Sequence, residues 1–192
     1  EYALAIGMAS LASIILGSGI QDAAANLLSS SYARKDAEKT KDVLAFMVKI
    51  TFFAAFLTIL ILPFLPFISR ALYNDFWIGV YAAVIVIASI FSVSFFSLST
   101  MALQVVGKIK GMMALTVSDQ IARYGFALAF TAAGFGVLGS VSGHLVGAVI
   151  LFLVSIVVWG WLQKKEALLP PLLVLLKRAG TVSIKKYFGF SF

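Results

Sequence analysis

The chain has 192 residues, of which 61% are hydrophobic and 12% charged, and it contains no cysteine. A soluble domain carries roughly 25% charged residues, so this composition excludes one and leaves a membrane protein. The lack of thiols excludes disulfide frameworks, metal–thiolate sites and cysteine nucleophiles. The formal net charge of +7 does not require nucleic acid, because the cytoplasmic loops of membrane proteins carry such a surplus.

Five apolar stretches are long enough to cross a bilayer, since a spanning helix needs about 20 mostly apolar residues. They are predicted at about 2–28, 43–68, 77–106, 111–133 and 137–162. Gly17, Ser18 and Gly19 are expected to bend the first stretch, and Pro63 and Pro66 to kink or end the second. The continuous apolar runs contradict the alternation of a membrane β-barrel. The sequence therefore predicts an all-α, polytopic membrane helix bundle.

The Lys and Arg residues lie mainly in alternate connecting segments. Twelve of the fifteen fall on one side of the predicted bundle: Arg34, Lys35, Lys39, Lys41, Lys108, Lys110, Lys164, Lys165, Lys177, Arg178, Lys185 and Lys186. The other side holds Arg70 alone, while Lys49 and Arg123 lie inside predicted spans. By the positive-inside rule the basic side is cytoplasmic. We therefore predict a multi-pass protein of the cytoplasmic membrane.

Two regions are predicted, a transmembrane bundle at 1–163 and a cytoplasmic linker at 164–192. In the linker, Pro170 and Pro171 open a short apolar helix that ends in basic residues. This pattern is typical of an interfacial helix on anionic headgroups, and a solvated linker fits it equally well. Because residues 187–192 resemble the start of a further span, and the N-terminus lacks an initiator Met and a signal peptide, we expect an internal fragment of a longer protein.

Asp119 and Arg123 are four residues apart and share one helical face with Thr116. Arg123 lies about 18 Å along the fourth predicted span, too deep for easy snorkelling. A charge at that depth costs at least about 2.5 kcal/mol and faces the bundle interior or a wet cavity. We predict that Arg123 binds an anionic substrate group such as a diphosphate and that Asp119 holds it or exchanges protons with it. The alternative is a structural ion pair between helices.

The third predicted span carries a polar stripe. Counted as a regular α-helix, its polar residues fall within about 160° of arc; they are Ser89, Ser92, Ser97, Ser99, Thr100 and Gln104. Thr100 and Gln104 are candidate substrate contacts, the latter for a sugar hydroxyl. Ordinary helix packing through small residues is the alternative.

Two further candidates for substrate binding are Lys49 and Asn26. Lys49 lies within the second predicted span, where its alternative is to snorkel to the headgroups. Asn26 lies near the cytoplasmic end of the first, where interfacial solvation explains it equally well. No metal site is predicted, since His144 is the lone histidine and a packed neutral imidazole accounts for it.

Four features occur in a particular order along the chain. A Gly-Ser-Gly-Ile turn at 17–20 leads to Tyr-Ala-Arg-Lys-Asp-Ala-Glu-Lys-Thr at 32–40, and a long span follows. Gln-Val-Val-Gly-Lys-Ile-Lys at 104–110 then precedes a span carrying Arg123-Tyr124, and Gly-Phe-Gly-Val-Leu-Gly at 134–139 opens the fifth. Together they resemble the polysaccharide flippases, transporters of O-antigen and other lipid-linked oligosaccharides, in the multidrug/oligosaccharidyl-lipid/polysaccharide exporter superfamily.

The resemblance implies an alternating-access transporter with two six-helix lobes around a central cavity. This chain would supply most of one lobe, and its partners would be a lipid-linked anionic glycan, membrane lipids and the second lobe of the same chain. No cofactor, nucleic acid or enzymatic reaction is implied. A cation-coupled multidrug exporter of the same superfamily is the alternative, but it requires deep carboxylates. A membrane-embedded lipid-modifying enzyme is a weaker one, because phosphate chemistry requires acidic clusters or a paired base.

Overall fold

The computed structural model describes residues 1–17 and 20–183, and the side chains of residues 1–12 and 24–183. All regular secondary structure within these residues is helical, which confirms the predicted all-α class. The α-helices are α1 (Tyr2–Gly17), α2 (Ile20–Ala33), α3 (Ala37–Ile61), α4 (Leu65–Tyr73), α5 (Phe76–Phe91), α6 (Ser97–Val105), α7 (Ile109–Phe130), α8 (Gly136–Lys165) and α9 (Leu172–Thr181). The bend was predicted at Gly17, Ser18 and Gly19, of which the last two lie outside the described residues, as does the further span predicted near 187.

Three helical stretches are long and apolar enough to cross a membrane: Ala37–Tyr73, Phe76–Val105 and Ile109–Lys165. A shorter apolar helix occupies Tyr2–Ala12. The structure therefore confirms apolar helices of membrane-spanning length, while the number of five crossings stays a prediction. Large apolar side chains on the outside of these helices, such as Phe53, Leu128 and Val157, are exposed. Exposed apolar surface on this scale is typical of protein that contacts lipid or another protein.

The two prolines of the second predicted span tighten the helix without ending it. A 3₁₀ turn, Leu62–Phe64, contains Pro63 and leads directly into α4, which contains Pro66. Each proline lies in the first turn of its segment, where a backbone N–H has no helical partner to lose. The helical path ends instead at Asn74, whose φ of 55° is left-handed, and Asp75 then caps α5 by accepting from the Trp77 amide at 2.8 Å.

The long stretch Ile109–Lys165 is a helical hairpin. Gly134, with a φ of 92°, breaks it. Beyond the break, Gly139, Gly143 and Gly147 lie against the backbones of Phe130, Phe126 and Arg123 respectively, with no room for a Cβ. Since the partner number falls as the glycine number rises, α7 and α8 run antiparallel. Glycines four residues apart allow two helix backbones to approach closely, as at packed membrane-helix interfaces.

Buried apolar residues form two clusters, one toward each end of the bundle. One contains Leu28, Leu44 and Leu103 and extends to α9. The other contains Ala5 and Ile85 and joins α1, α4, α5 and the start of α8. Alongside the first cluster, most of the residues that α5–α6 and α7 turn toward a shared cavity are polar. This polar lining defines the candidate site.

Candidate functional site

A cavity of about 520 Å³ is lined by residues of α5–α6 and α7, and we refer to it as the cleft. It is lined by Ser89, Ser92, Val93, Phe96, Ser97, Thr100, Met101, Gln104, Met112, Thr116, Asp119 and Arg123. Four of the six predicted site residues, Thr100, Gln104, Asp119 and Arg123, therefore come together at one place. They come from two separate apolar stretches of the sequence.

Asp119 and Arg123 form an ion pair one helical turn apart on α7, as their spacing predicts. The Arg123 guanidinium donates to Asp119 Oδ2. Asp119 is only 1% exposed, yet its Oδ1 and the Nε of Arg123 have no hydrogen-bond partner among the described residues. Leaving buried donors and acceptors unpaired is costly, so they normally have a partner or ordered water. The pair thus has one acceptor and one donor without a partner in the described part of the chain, on two residues that line the cleft.

The opposite wall supplies hydroxyl oxygens. Thr100 donates its hydroxyl hydrogen to the Phe96 and Ser97 carbonyls at 3.1 and 3.0 Å, and Ser89 donates to the Ile85 carbonyl at 3.0 Å. A hydroxyl that donates to its own helix keeps its lone pairs for an incoming donor. The buried Ser92 Oγ has no partner among the described residues. This wall therefore offers several hydrogen-bond acceptors to a ligand.

Ser99 departs from the predicted polar stripe. It is fully buried on the far side of α6, where its hydroxyl donates to the Ser155 carbonyl of α8 at 3.0 Å. The stripe assumed a regular α-helix, but five residues between α5 and α6, Ser92–Phe96, form a π-helical turn. A π-turn holds more residues than an α-turn, so it shifts every later residue around the axis.

Lys49 and Asn26 are not among the residues that line the cleft. The Lys49 ammonium donates to the Val182 carbonyl at 2.8 Å and the Gly180 carbonyl at 3.5 Å, at the C-terminal end of α9. A cation at this end of a helix satisfies free carbonyls and complements the helix dipole. Asn26 is exposed on α2. The structure does not bring these two candidates to the Asp119–Arg123 pair.

His144 is buried on α8, with its ring edge-on to that of Tyr124 and the ring centroids 5.9 Å apart. Its Nδ1 has no partner among the described residues. The searched part of the chain contains no group of three His, Cys, Asp or Glu side chains able to hold a metal ion.

A second polar cluster, which we call the basic-end cluster, ties three connecting segments together. Glu166 accepts from Tyr32 at 3.0 Å and from Lys108 at 2.9 Å. Lys108 and Lys165 lie over the Trp161 ring, 4.7 and 4.4 Å from its centroid. These contacts place the α2–α3, α6–α7 and α8–α9 connections at one end of the bundle. The hydrogen bond from Lys108, followed by that from Tyr32, holds the pKa of Glu166 below its ordinary value.

Sequence reasoning missed the basic-end cluster and the docking of α9. Arg178 of α9 donates to Asp42 at 2.6 Å and pairs with Glu38 at 2.9 Å. The hydrogen bond to Asp42 raises the pKa of Arg178 above its ordinary value. The basic-end cluster and the docking contacts of α9 each join residues more than one hundred positions apart. No local spacing in the sequence therefore reveals them.

Comparisons with protein-family models, with curated proteins and with solved structures find no match for this chain. These comparisons therefore do not show that the chain belongs to the family that its loop motifs resemble. The geometry of the cleft is the basis on which a function is proposed.

Proposed function

We propose that this chain is part of a membrane transporter that moves a lipid-linked oligosaccharide or polysaccharide precursor across the cytoplasmic membrane by alternating access. One observation carries the proposal. Three buried polar atoms that have no partner among the described residues, Ser92 Oγ, Asp119 Oδ1 and Arg123 Nε, belong to residues that line the same cleft. Buried groups of this kind in a membrane protein favour a functional role, because their isolation is expensive.

The substrate class follows from what these atoms lack. Arg123 Nε is a donor, and a guanidinium suits the oxygens of a phosphate or diphosphate. Asp119 Oδ1 and the hydroxyl oxygens of Ser92 and Thr100 are acceptors, which a sugar hydroxyl satisfies by donating. A lipid-diphosphate-linked glycan carries both kinds of group close together. An anionic lipid without sugars would leave the acceptors unfilled.

The proposed topology has five crossings, with α7 and α8 counted separately because Gly134 reverses the chain between them. The basic-end cluster supports a cytoplasmic location for the three connections that it joins, since they hold Lys108, Lys164 and Lys165. Trp161, partly exposed beside two lysines, is typical of a residue at the headgroup level. Transport sites of this kind lie near the midplane between repeats, so a second lobe would close the cleft.

One observation favours a second candidate, the cation-coupled multidrug exporter. With Lys49 bound to α9, the charged residues lining the cleft are one carboxylate and one guanidinium, Asp119 and Arg123. An organic cation could then bind the free oxygen of Asp119. The glycan remains the better candidate because Arg123, already at that carboxylate, repels a cation. A lipid-modifying enzyme finds less support, since among the described residues the cleft lining holds a single carboxylate.

The test is export by the whole protein carrying Arg123→Ala, with Arg70→Ala as the matched control, because Arg70 lies exposed on α4. Membrane insertion is first verified for each variant. We expect Arg123→Ala to lower the translocation rate of a lipid-diphosphate-linked oligosaccharide at least about 30-fold, as loss of a buried charged contact does. Arg70→Ala should retain the parent rate. Parent-level export by inserted Arg123→Ala contradicts the proposal, and export of an organic cation in its place would support the second candidate.

A further inference from the structure

The π-turn Ser92–Phe96 lies in the wall of the cleft, in the middle of the helical path Phe76–Val105. Such a turn accommodates one extra residue within an α-helical path and often occurs at functional sites. Three of its five residues, Ser92, Val93 and Phe96, line the cleft directly. The turn therefore determines how the polar residues after it are placed around the helix axis relative to those before it.

Helical geometry shows how large this effect is. At about 100° per residue, an uninterrupted α-helix would place Ser97, Thr100 and Gln104 about 140°, 80° and 120° around the axis from Ser92. Discounting the one residue that the π-turn absorbs places them about 40°, 20° and 20° from Ser92. The extra residue thus brings four polar side chains into one narrow row.

Ser99 provides an independent check of this geometry. An uninterrupted helix would place it about 20° from Ser92, inside the row, whereas the π-turn moves it about 120° away. The structure has Ser99 fully buried and bonded to the Ser155 carbonyl on α8. Its neighbour Thr100 lines the cleft. Thr100 thus faces the cleft and Ser99 faces α8, which is the arrangement expected if the π-turn shifts the helical register by one residue.

We propose that the π-turn is the positioning element of the cleft, and that Ser92 and Ser97 extend the substrate-contacting row formed by Thr100 and Gln104. The row then offers four polar side chains at successive depths along α5–α6, as a chain of sugar hydroxyls requires. This inference deepens the proposed transport function. The position of the row is nevertheless measurable without any transport.

The experiment uses single-cysteine variants of the whole protein, because these 192 residues contain no cysteine to interfere. Thr100→Cys reports the cleft wall and Ser99→Cys the α8 side, and each is labelled with a small water-soluble maleimide in the membrane. Each reporter is combined with deletion of Ser94, which lies in the π-turn, or with insertion of one alanine after Phe96. Deletion lets the turn become α-helical without rotating α6, whereas insertion rotates it by about 100°.

We expect Thr100→Cys to react at least about tenfold faster than Ser99→Cys, both in the parent and in the deletion variant, because burial limits labelling to local opening. In the insertion variant the order should reverse. A reversed order in the deletion variant, or equal rates in the parent, would overturn the inference. If the variant with the added alanine does not enter the membrane, the labelling rates in the parent and in the deletion variant still test the inference. Absence of glycan transport together with the expected labelling would reject the proposed function and leave the positioning role intact.

Discussion

The basic-end cluster and the cleft both contain ionised side chains, but they differ in how these are satisfied. At the basic end, Glu166 accepts hydrogen bonds from Lys108 and Tyr32, and its side chain is 25% exposed. In the cleft, Asp119 is almost fully buried and accepts from Arg123 alone, leaving Oδ1 without a partner in the described part of the chain.

This difference is what distinguishes the structural role of the basic-end cluster from the role that we propose for the cleft. A partly exposed carboxylate with two donors has its needs met by the fold, and its ion pair contributes little to stability. A buried carboxylate with a free oxygen is held at a cost that only the surrounding fold, water or a ligand offsets. Unfilled hydrogen-bond positions, more than charge alone, are therefore what supports the proposal that the cleft binds a ligand.

The largest expected effect comes from breaking the cleft pair. Asp119→Leu leaves the Arg123 guanidinium without its carboxylate in a low-dielectric site, so we expect a loss of about 3–5 kcal/mol in the free energy of unfolding. The double variant Asp119→Leu/Arg123→Met removes both charges at similar volume and should recover most of that stability, yet remain inactive in transport. Reversible unfolding in mixed micelles measures the first effect. A double variant as unstable as Asp119→Leu, or one that transports normally, would contradict the comparison.

Sequence reasoning located the helices because apolar length is a local property. The predicted span 77–106 corresponds to Phe76–Val105, and 111–133 to α7. It also paired Asp119 with Arg123, because their spacing of one helical turn is fixed by the α-helix. The prediction that Pro63 and Pro66 kink or end the second span was only partly met: α3 ends just before them at Ile61, but Pro66 lies within a helix that continues to Tyr73.

The rest depended on information that local patterns lack. The π-turn has no apolar signature of its own, so the stripe was predicted with Ser99 inside it. The partner of Lys49 lies more than 130 positions away at Val182, beyond the reach of any spacing rule. By contrast, the spacing of Gly139, Gly143 and Gly147 every four residues is a local pattern. It could have predicted the close packing of α8 against another helix.

A smaller effect is expected at the basic end, where Glu166→Gln should cost about 1 kcal/mol or less. Because the folded-state pKa of Glu166 is lowered, its contribution is present above the ordinary pKa of 4.5 and is lost as the pH falls through the folded value. Burial, and then the bond to Glu166, raise the pKa of Tyr32 above 10.0, so its contribution is lost at higher alkaline pH. Both pH dependences are tested by thermal unfolding of the parent, Glu166→Gln and Tyr32→Phe. The measurements run from about pH 3 to about pH 11, which covers the pKa values of both groups. A Glu166→Gln variant whose acid sensitivity equals that of the parent contradicts the assignment.

The smallest effect is expected for Lys41, which pairs with Glu38 at 2.9 Å on the surface of α3. Glu38 is 65% exposed and also contacts Arg178, so removing one of its two cationic partners leaves it solvated and still paired. Lys41→Ala should therefore leave the unfolding midpoint unchanged within error at moderate ionic strength. Raising the salt to about 1 M, where the screening length falls to about 3 Å, should have no further effect on the difference between Lys41→Ala and the parent. A clear loss of stability in Lys41→Ala would show that an exposed ion pair within α3 contributes to the fold, and the contrast with the buried cleft pair would then no longer follow exposure.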